Sequence, residues 1–272
     1  MSIIKRREWD SNFFNLNVGE IFSCPQKKEV DEIERISQEI INSGFQFMLH
    51  KHKLCDENNL DISVLSKLGF NYIDTHITLS LNLKVVDLER SHCEKKDETK
   101  SLTENVEVRL VEKSEKELIP KLQEIGEDLS KVSRFALDSN IPNGTVKLLY
   151  QNWILNGFES DMADHIYIAF GPKKDVLGFA YFLVDKEDSD VVDLSLLAVH
   201  PSTRGSGLGS KLMRKAFSDL QKNYVSCTVV VSLSNPKALS FYEKMGYRHV
   251  EAKQIYHAHY NLLNDLPNDL IN

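Results

Sequence analysis

Between Leu194 and Met213 an apolar run passes through His200-Pro201 into a loop with glycines at 205, 207 and 209, then into a helix-like apolar repeat. A buried strand running straight into a glycine loop and a helix needs a sheet beside the strand and a face for the helix to cover, so this part of the chain reads as α/β. Glycines let successive backbone N–H groups converge, and the start of the helix adds its partial positive charge. Arg204 adds a charged donor, which makes the loop a cradle for a phosphate or diphosphate. Two better-known phosphate loops are excluded. Gly209 is followed by Ser210, with Lys211 out of order for a Walker loop, and Ser210 stands where a dinucleotide fingerprint needs its third glycine.

Around this segment the second half alternates strand and helix signals. Strands are expected at Val106 to Leu110, His165 to Phe170, Val176 to Val184, Val191 to Val199 and Cys227 to Leu233. Helices are expected from Ser114, with Glu117 completing a capping pattern, to about Leu129, from Thr145, from Gly207 to Lys222, and from Pro236 to Met245. The front carries a strand near Val18 to Phe22, a helix from Glu29 to Asn42 ended by Gly44, and strands at Phe45 to Leu49 and Ile73 to Leu83. Between them, Asp87 to Asn105 is polar with almost nothing to bury. With 272 residues, about two domains are expected. The division is 1–88, a linker at 89–105, and 106–272.

Thirty-three basic against forty acidic residues leave a net charge of −7, which disfavours an electrostatic nucleic-acid binder. No apolar run is long enough to span a bilayer, and the start shows no secretory signal. Cys24, Cys55, Cys93 and Cys227 lie far apart without C-x-x-C spacing, so neither a structural metal nor a disulfide framework is expected and a reduced, cytoplasmic setting fits. Sliding the chain by 177 residues lays Asn58 on Asn235, Lys67-Leu-Gly-Phe70 on Lys244-Met-Gly-Tyr247, and Asp74 on Glu251, a candidate repeated helix–turn–strand corner.

The stretch Leu197 to Gly209 resembles motif A of the GNAT acetyltransferases, and Cys227 to Tyr247, with its N-x-x-A-x-x-F-Y-x-x-x-G-Y pattern, resembles motif B. The resemblance covers about residues 106 to 262. It implies a GNAT fold with a splayed central sheet flanked by helices, preceded by a smaller truncated GNAT-like α/β domain, and acetyl-CoA as co-substrate with no metal. It further implies that Leu197, Ala198 and Val199 offer backbone to the pantetheine and thioester, that Arg204, Gly205, Ser206, Gly207, Leu208, Gly209 and Ser210 hold the diphosphate, and that Asn235 contacts the cofactor. Tyr242 matches the family's general acid, and its phenol, normally near pKa 10, stays protonated at neutral pH. Asp193 and His200 are candidate bases, with His165 a further histidine of suitable pKa and a relayed water the alternative.

Over the whole chain, Trp9 to Phe14, Lys67 to Phe70, Ser133-Arg134-Phe135 and Trp153-Ile154 resemble the dTDP-fucosamine acetyltransferases of surface-polysaccharide synthesis. That likeness implies an acceptor amine on a dTDP-amino-deoxy sugar, with Arg134 meeting its diphosphate and Phe135, Tyr150 or Trp153 stacking on sugar or base. It is compatible with a homodimer. A peptide, polyamine or drug amine is the rival acceptor, and an acyl-CoA sensor the non-enzymatic rival. If the halves are duplicates, Leu65 stands where Tyr242 does, so the front copy is expected to be catalytically silent.

Overall fold

The structure, a computed structural model, describes residues 4–22, 29–54, 60–86 and 101–260. Its strands are β1 (Ile4–Arg6), β2 (Val18–Ile21), β3 (Phe47–Lys53), β4 (Asn71–Asn82), β5 (Glu107–Val111), β6 (His165–Phe170), β7 (Val176–Val184), β8 (Val191–Val199), β9 (Ser226–Ser232) and β10 (Arg248–His259). Its helices are α1 (Glu8–Phe14), α2 (Glu29–Ser43), α3 (Ile62–Lys67), α4 (Ser101–Glu104), α5 (Ile119–Gly126), α6 (Arg134–Leu137), α7 (Asn143–Glu159), α8 (Leu208–Leu220) and α9 (Pro236–Lys244). Most of the linker expected at 89–105 lies outside the described residues.

By contact the chain forms two compact units, and they do not follow the linear division. The first gathers the described parts of Met1–His76, Leu137–Asn140 and Glu251–Asn272; the second gathers those of Ile77–Ala136 and Ile141–Val250. In the first, β1 pairs antiparallel with β2, β2 parallel with β3, and β3 antiparallel with β10 from Phe47↔His259 to Lys53↔Lys253. Ile36, Ile40, Val64, Leu65 and Leu68 from α2 and the α3 corner bury against Ile21, Met48 and Ala258.

In the second unit the order is β9-β8-β7-β6-β5, parallel between β9 and β8 and antiparallel across the rest. Both faces are covered, so β7 reads as the near-continuous apolar run expected of a doubly buried strand. Ala180 and Phe182 meet the layer that holds the α8 stripe Leu212, Met213, Ala216, Phe217 and Leu220. Phe179 and Tyr181 meet α5 and α7 through Leu122, Ile125 and Ile154.

Strand β8 carries the feature that positions the site. Tyr181 pairs with Leu196 and Phe182 with Leu194, so Ser195 is an extra residue, and its hydroxyl donates to Tyr181 O at 3.2 Å. A bulge of one residue shifts the phase of every later side chain. Val192 and Leu194 accordingly lie in the α8 layer, whereas Leu196 and Ala198 lie in the α5/α7 layer. Pairing with β9 stops at the same place, with Leu194↔Val229 the last register pair. The two strands splay from there.

One sequence expectation is corrected here. The helix anticipated from Ser114 is a short 3-10 turn at Lys116–Leu118 followed by α5, then a second 3-10 segment at Glu127–Val132. Ser114 Oγ donates to Glu112 instead of capping, and Pro120 sits in the first turn of α5, where its missing N–H costs nothing.

Candidate active site

Where β8 and β9 part, the second unit holds a cavity of about 720 Å³, a size typical of small-molecule sites. It is lined by Ile125, Leu129 and Val132, by Leu197 to Val199, by the glycine loop, and by residues of α9. His200 N–H donates to Leu177 O of the β7 edge at 2.7 Å. Peptide groups alternate in direction along a strand, so the N–H groups of Val199 and Leu197 point away from β7, toward the gap that β9 leaves.

The loop after β8 is shaped by two left-handed glycines, Gly205 at φ +79° and Gly207 at φ +84°, and a Cβ at either would meet nothing within 4 Å. Backbone conformation, rather than crowding, demands glycine there. Gly207 is the N-cap of α8, without a side chain to satisfy the first turn. The first helical bond comes from Lys211 N–H to Gly207 O at 3.0 Å, which leaves the amides of Leu208, Gly209 and Ser210 without intrahelical acceptors. Lys211 itself is turned elsewhere, its ammonium donating to Thr103 O at 2.7 Å.

Asn235 caps α9, its side-chain oxygen accepting from Ala238 N–H at 3.2 Å. The amide hydrogens of the same group are not used in that bond. Two turns on from this cap, Tyr242 lines the cavity while remaining 7% exposed, its ring 5.3 Å from Phe241 and 5.5 Å from Tyr247. Burial raises its phenol well above the ordinary tyrosine range, and the nearby Cys227 adds to the shift. Cys227 is also buried, with its thiol pushed up to about 12 by burial, and it accepts from Tyr247 Oη at 3.1 Å.

Charge at the cavity is opposite to that of the chain as a whole. Lys131, Arg204 and Lys237 line it against the single acid Asp128. Arg204 Nη2 lies 2.6 Å from Asp128 Oδ2, and Lys131 Nζ lies 2.6 Å from Asp128 Oδ1. The Lys131 and Arg204 hydrogen bonds hold the Asp128 carboxyl below the usual carboxylate range.

Of the residues singled out from sequence, Leu197, Ala198, Val199, Arg204, Gly205, Gly207, Leu208, Gly209, Ser210, Asn235 and Tyr242 all line this one cavity. Ser206 does not; its hydroxyl donates back to Thr203 O at 2.7 Å. The candidate bases lie elsewhere. Asp193 precedes the bulge and accepts from Thr228 Oγ1 of the paired part of β9, while burial raises its pKa. His200 caps the turn after β8, its Nδ1 2.7 Å from Ser202 Oγ, and His165 meets Tyr224 Oη at 2.8 Å.

The residues expected to stack on sugar or base lie outside this cavity. Phe135 is 1% exposed, edge-on to Trp153 at 6.3 Å, and Trp153 packs against Tyr150 at 4.8 Å beside the α5/α7 core. That packing encloses Phe135, whereas Tyr150 and Trp153 are part-buried. Arg134 lies over Phe135, with 4.5 Å from its guanidinium carbon to the ring centroid, and none of the four lines the cavity. Sequence reasoning missed Lys131, Lys237 and Asp128. Lys237, two residues past the cap of α9, was the legible one; the other two reach the cavity only because the 3-10 segment folds beside the loop.

Residues 163–249 match the family described as an acetyltransferase (GNAT) domain. No curated protein matches the sequence. Among solved structures, a functionally unknown conserved protein from Staphylococcus epidermidis ATCC 12228 is similar with TM-score 0.57 at 13% identity, over 89% of this chain and 84% of that one. A tandem GNAT protein from the clavulanic acid biosynthesis pathway is similar with TM-score 0.53 at 9% identity, over 89% and 75%. The GCN5-related glucosamine N-acetyltransferase region of a fungal multi-domain GH3 β-N-acetylglucosaminidase gives TM-score 0.54 at 16% identity, over 89% of this chain and 30% of that one. At such identities these likenesses carry the fold, and the family match carries the class. The chain therefore holds a GNAT acetyltransferase domain over residues 163–249, and it is an acyltransferase.

Proposed function

We propose that this protein transfers the acetyl group of acetyl-CoA to the amino group of a nucleotide-linked amino-deoxy sugar, of the dTDP-4-amino-4,6-dideoxygalactose kind, used in surface-polysaccharide synthesis. The observation that carries the acetyl-transfer half is the cavity at the β8/β9 parting, which brings donor amides, a helix N-terminus, three cations and Tyr242 to one lining. A diphosphate would lie on the amides of Gly207 to Ser210 beside Arg204. A pantetheine arm would run along the unpaired edge of β8, where the Val199 and Leu197 N–H groups can polarise the thioester carbonyl and stabilise the oxyanion formed on attack.

The amine nitrogen forms the new C–N bond and the C–S bond breaks. Tyr242 donates its proton to the departing thiolate, and its raised pKa keeps that proton in place at neutral pH. The proton lost by the amine passes to solvent through water, since neither Asp193 nor His200 lines the cavity.

The amino-sugar half rests on the whole-chain sequence likeness to dTDP-amino-sugar acetyltransferases and on a structural neighbour whose name gives glucosamine as its acceptor. The test is coenzyme A release by the purified chain with acetyl-CoA and a matched panel of dTDP-amino sugars, free amino sugars, polyamines and peptide amines. Turnover confined to the nucleotide-linked sugars is expected; preference for a peptide or polyamine would overturn the acceptor assignment.

A further inference from the structure

In the first unit, away from the residues used above, three ligand-type side chains converge. Asp138 Oδ2 lies 2.7 Å from His257 Nδ1 and 2.7 Å from His259 Nε2, and the three atoms all lie within 4.8 Å of one another. We propose that Asp138, His257 and His259 form a binding site for a divalent ion of the zinc class. The inference does not rest on the acetyltransfer reading.

The donor set is the first argument: two imidazoles and one carboxylate are the ligands a borderline ion such as zinc takes, and three protein ligands leave a fourth position for water. Dimensions are the second. Tetrahedral bonds of about 2.0 Å put neighbouring ligand atoms about 3.3 Å apart. The two 2.7 Å separations share Asp138 Oδ2 and fall a little short of that, so a slight withdrawal of this carboxylate from both rings makes room for an ion.

Support around the ligands is the third. Metal carboxylates and imidazoles are normally held by outer partners. Asp138 Oδ1 accepts from both the backbone N–H and the side-chain amide of Asn140, at 3.0 and 3.2 Å, which turns Oδ2 toward the histidines. Phe47 fixes both rings, stacked on His259 at 4.5 Å and edge-on to His257 at 5.1 Å. Asp138 and His257 are buried, whereas the His259 side chain is 26% exposed and offers a way in.

Alternation along β10 puts His257 and His259 on one face, but Asp138 lies 119 residues before His257, so no local spacing announces the site. An ion there would clasp the 137–140 loop onto β10.

The test uses the full chain, stripped by chelation and titrated with zinc sulfate, alongside His259→Ala and Asp138→Asn. One zinc per chain is expected, with a thermal midpoint that rises with zinc and a cobalt(II) spectrum of low-symmetry N/O coordination. Each variant should weaken zinc at least about tenfold and lose the midpoint shift. Should Asp138→Asn fail to fold, the partly exposed His259→Ala decides. No zinc on the intact chain, or zinc binding and midpoint shift unchanged in His259→Ala, would overturn the proposal and leave the trio a hydrogen-bonded clasp.

Discussion

Arg204 and Asp128, 76 residues apart, are joined at 2.6 Å beside the glycine loop, so the cation best placed for a diphosphate is already engaged by an acid at the same cavity. Such a pair holds the guanidinium in position, but its carboxylate opposes an incoming anion. Both side chains are solvated enough for salt to screen the effect.

Replacing Asp128 by Asn is therefore expected to tighten acetyl-CoA binding, by at most about fivefold given the ~1 kcal/mol ceiling for exposed pairs. The gain should shrink as salt is raised. Titration of acetyl-CoA at low and high ionic strength checks this, and weaker binding in Asp128→Asn would show that the acid serves to orient Arg204 rather than to compete for it.

Tyr242→Phe should lower kcat by about 10²–10⁴-fold while leaving the KM for acetyl-CoA unchanged, because the ring stays packed and only the proton is lost. An acid works below its pKa, so its contribution disappears as pH rises through that value. Since burial raises Tyr242 above the ordinary tyrosine value, no loss of kcat from this group is expected below about pH 10. A rate profile with a descending limb near neutrality that vanishes in Tyr242→Phe would contradict the assignment.

Gly207→Ala is expected to cost about 1–2 kcal/mol, entirely through backbone conformation, because the added methyl group meets no neighbour. Denaturant unfolding measures the cost. Acetyl-CoA affinity should fall with it, as relief of the positive φ turns the first amides of α8 out of line. Stability equal to that of the parent chain would show that the loop reaches its shape without that conformation.

Asp193 supplies a pH test. Burial, helped by the charge of Asp185, raises its pKa above that of the unfolded chain. Its protonated form is thus favoured by folding, and the stability it contributes is full below the unfolded value near 3.8 and lost as pH rises through the raised one. Asp193→Asn keeps an acceptor for Thr228 without the charge. It should be more stable than the parent at pH 7 and lose that advantage at pH 3, with acetyltransfer unaffected. Chemical unfolding at the two pH values, with kcat alongside, reads both.

Much of the second unit was written locally. β6, β7 and β8 fall at the residues their apolar runs mark, and α8 and α9 begin where a glycine loop and an Asn-Pro pair end the preceding strands. The paired corners also look alike: α3 and α9 each end in a left-handed glycine, Gly69 and Gly246, before a long strand. Leu65, four residues before Gly69 as Tyr242 is before Gly246, is fully buried in the first unit's core.

Local pattern therefore determined the strands, the glycine cradle, its helix and the tyrosine, because periodicity, positive-φ glycines and caps act over a few neighbouring residues. It did not determine the parting of β8 from β9, which depends on a single extra residue opposite Tyr181 and Phe182. Nor did it bring Asp128 to Arg204, bury Phe135 beside Trp153, or join Asp138 to His257 and His259. Those relationships span from 14 to more than a hundred residues, and only the closing of the sheets and the packing of their layers decides which distant side chains become neighbours.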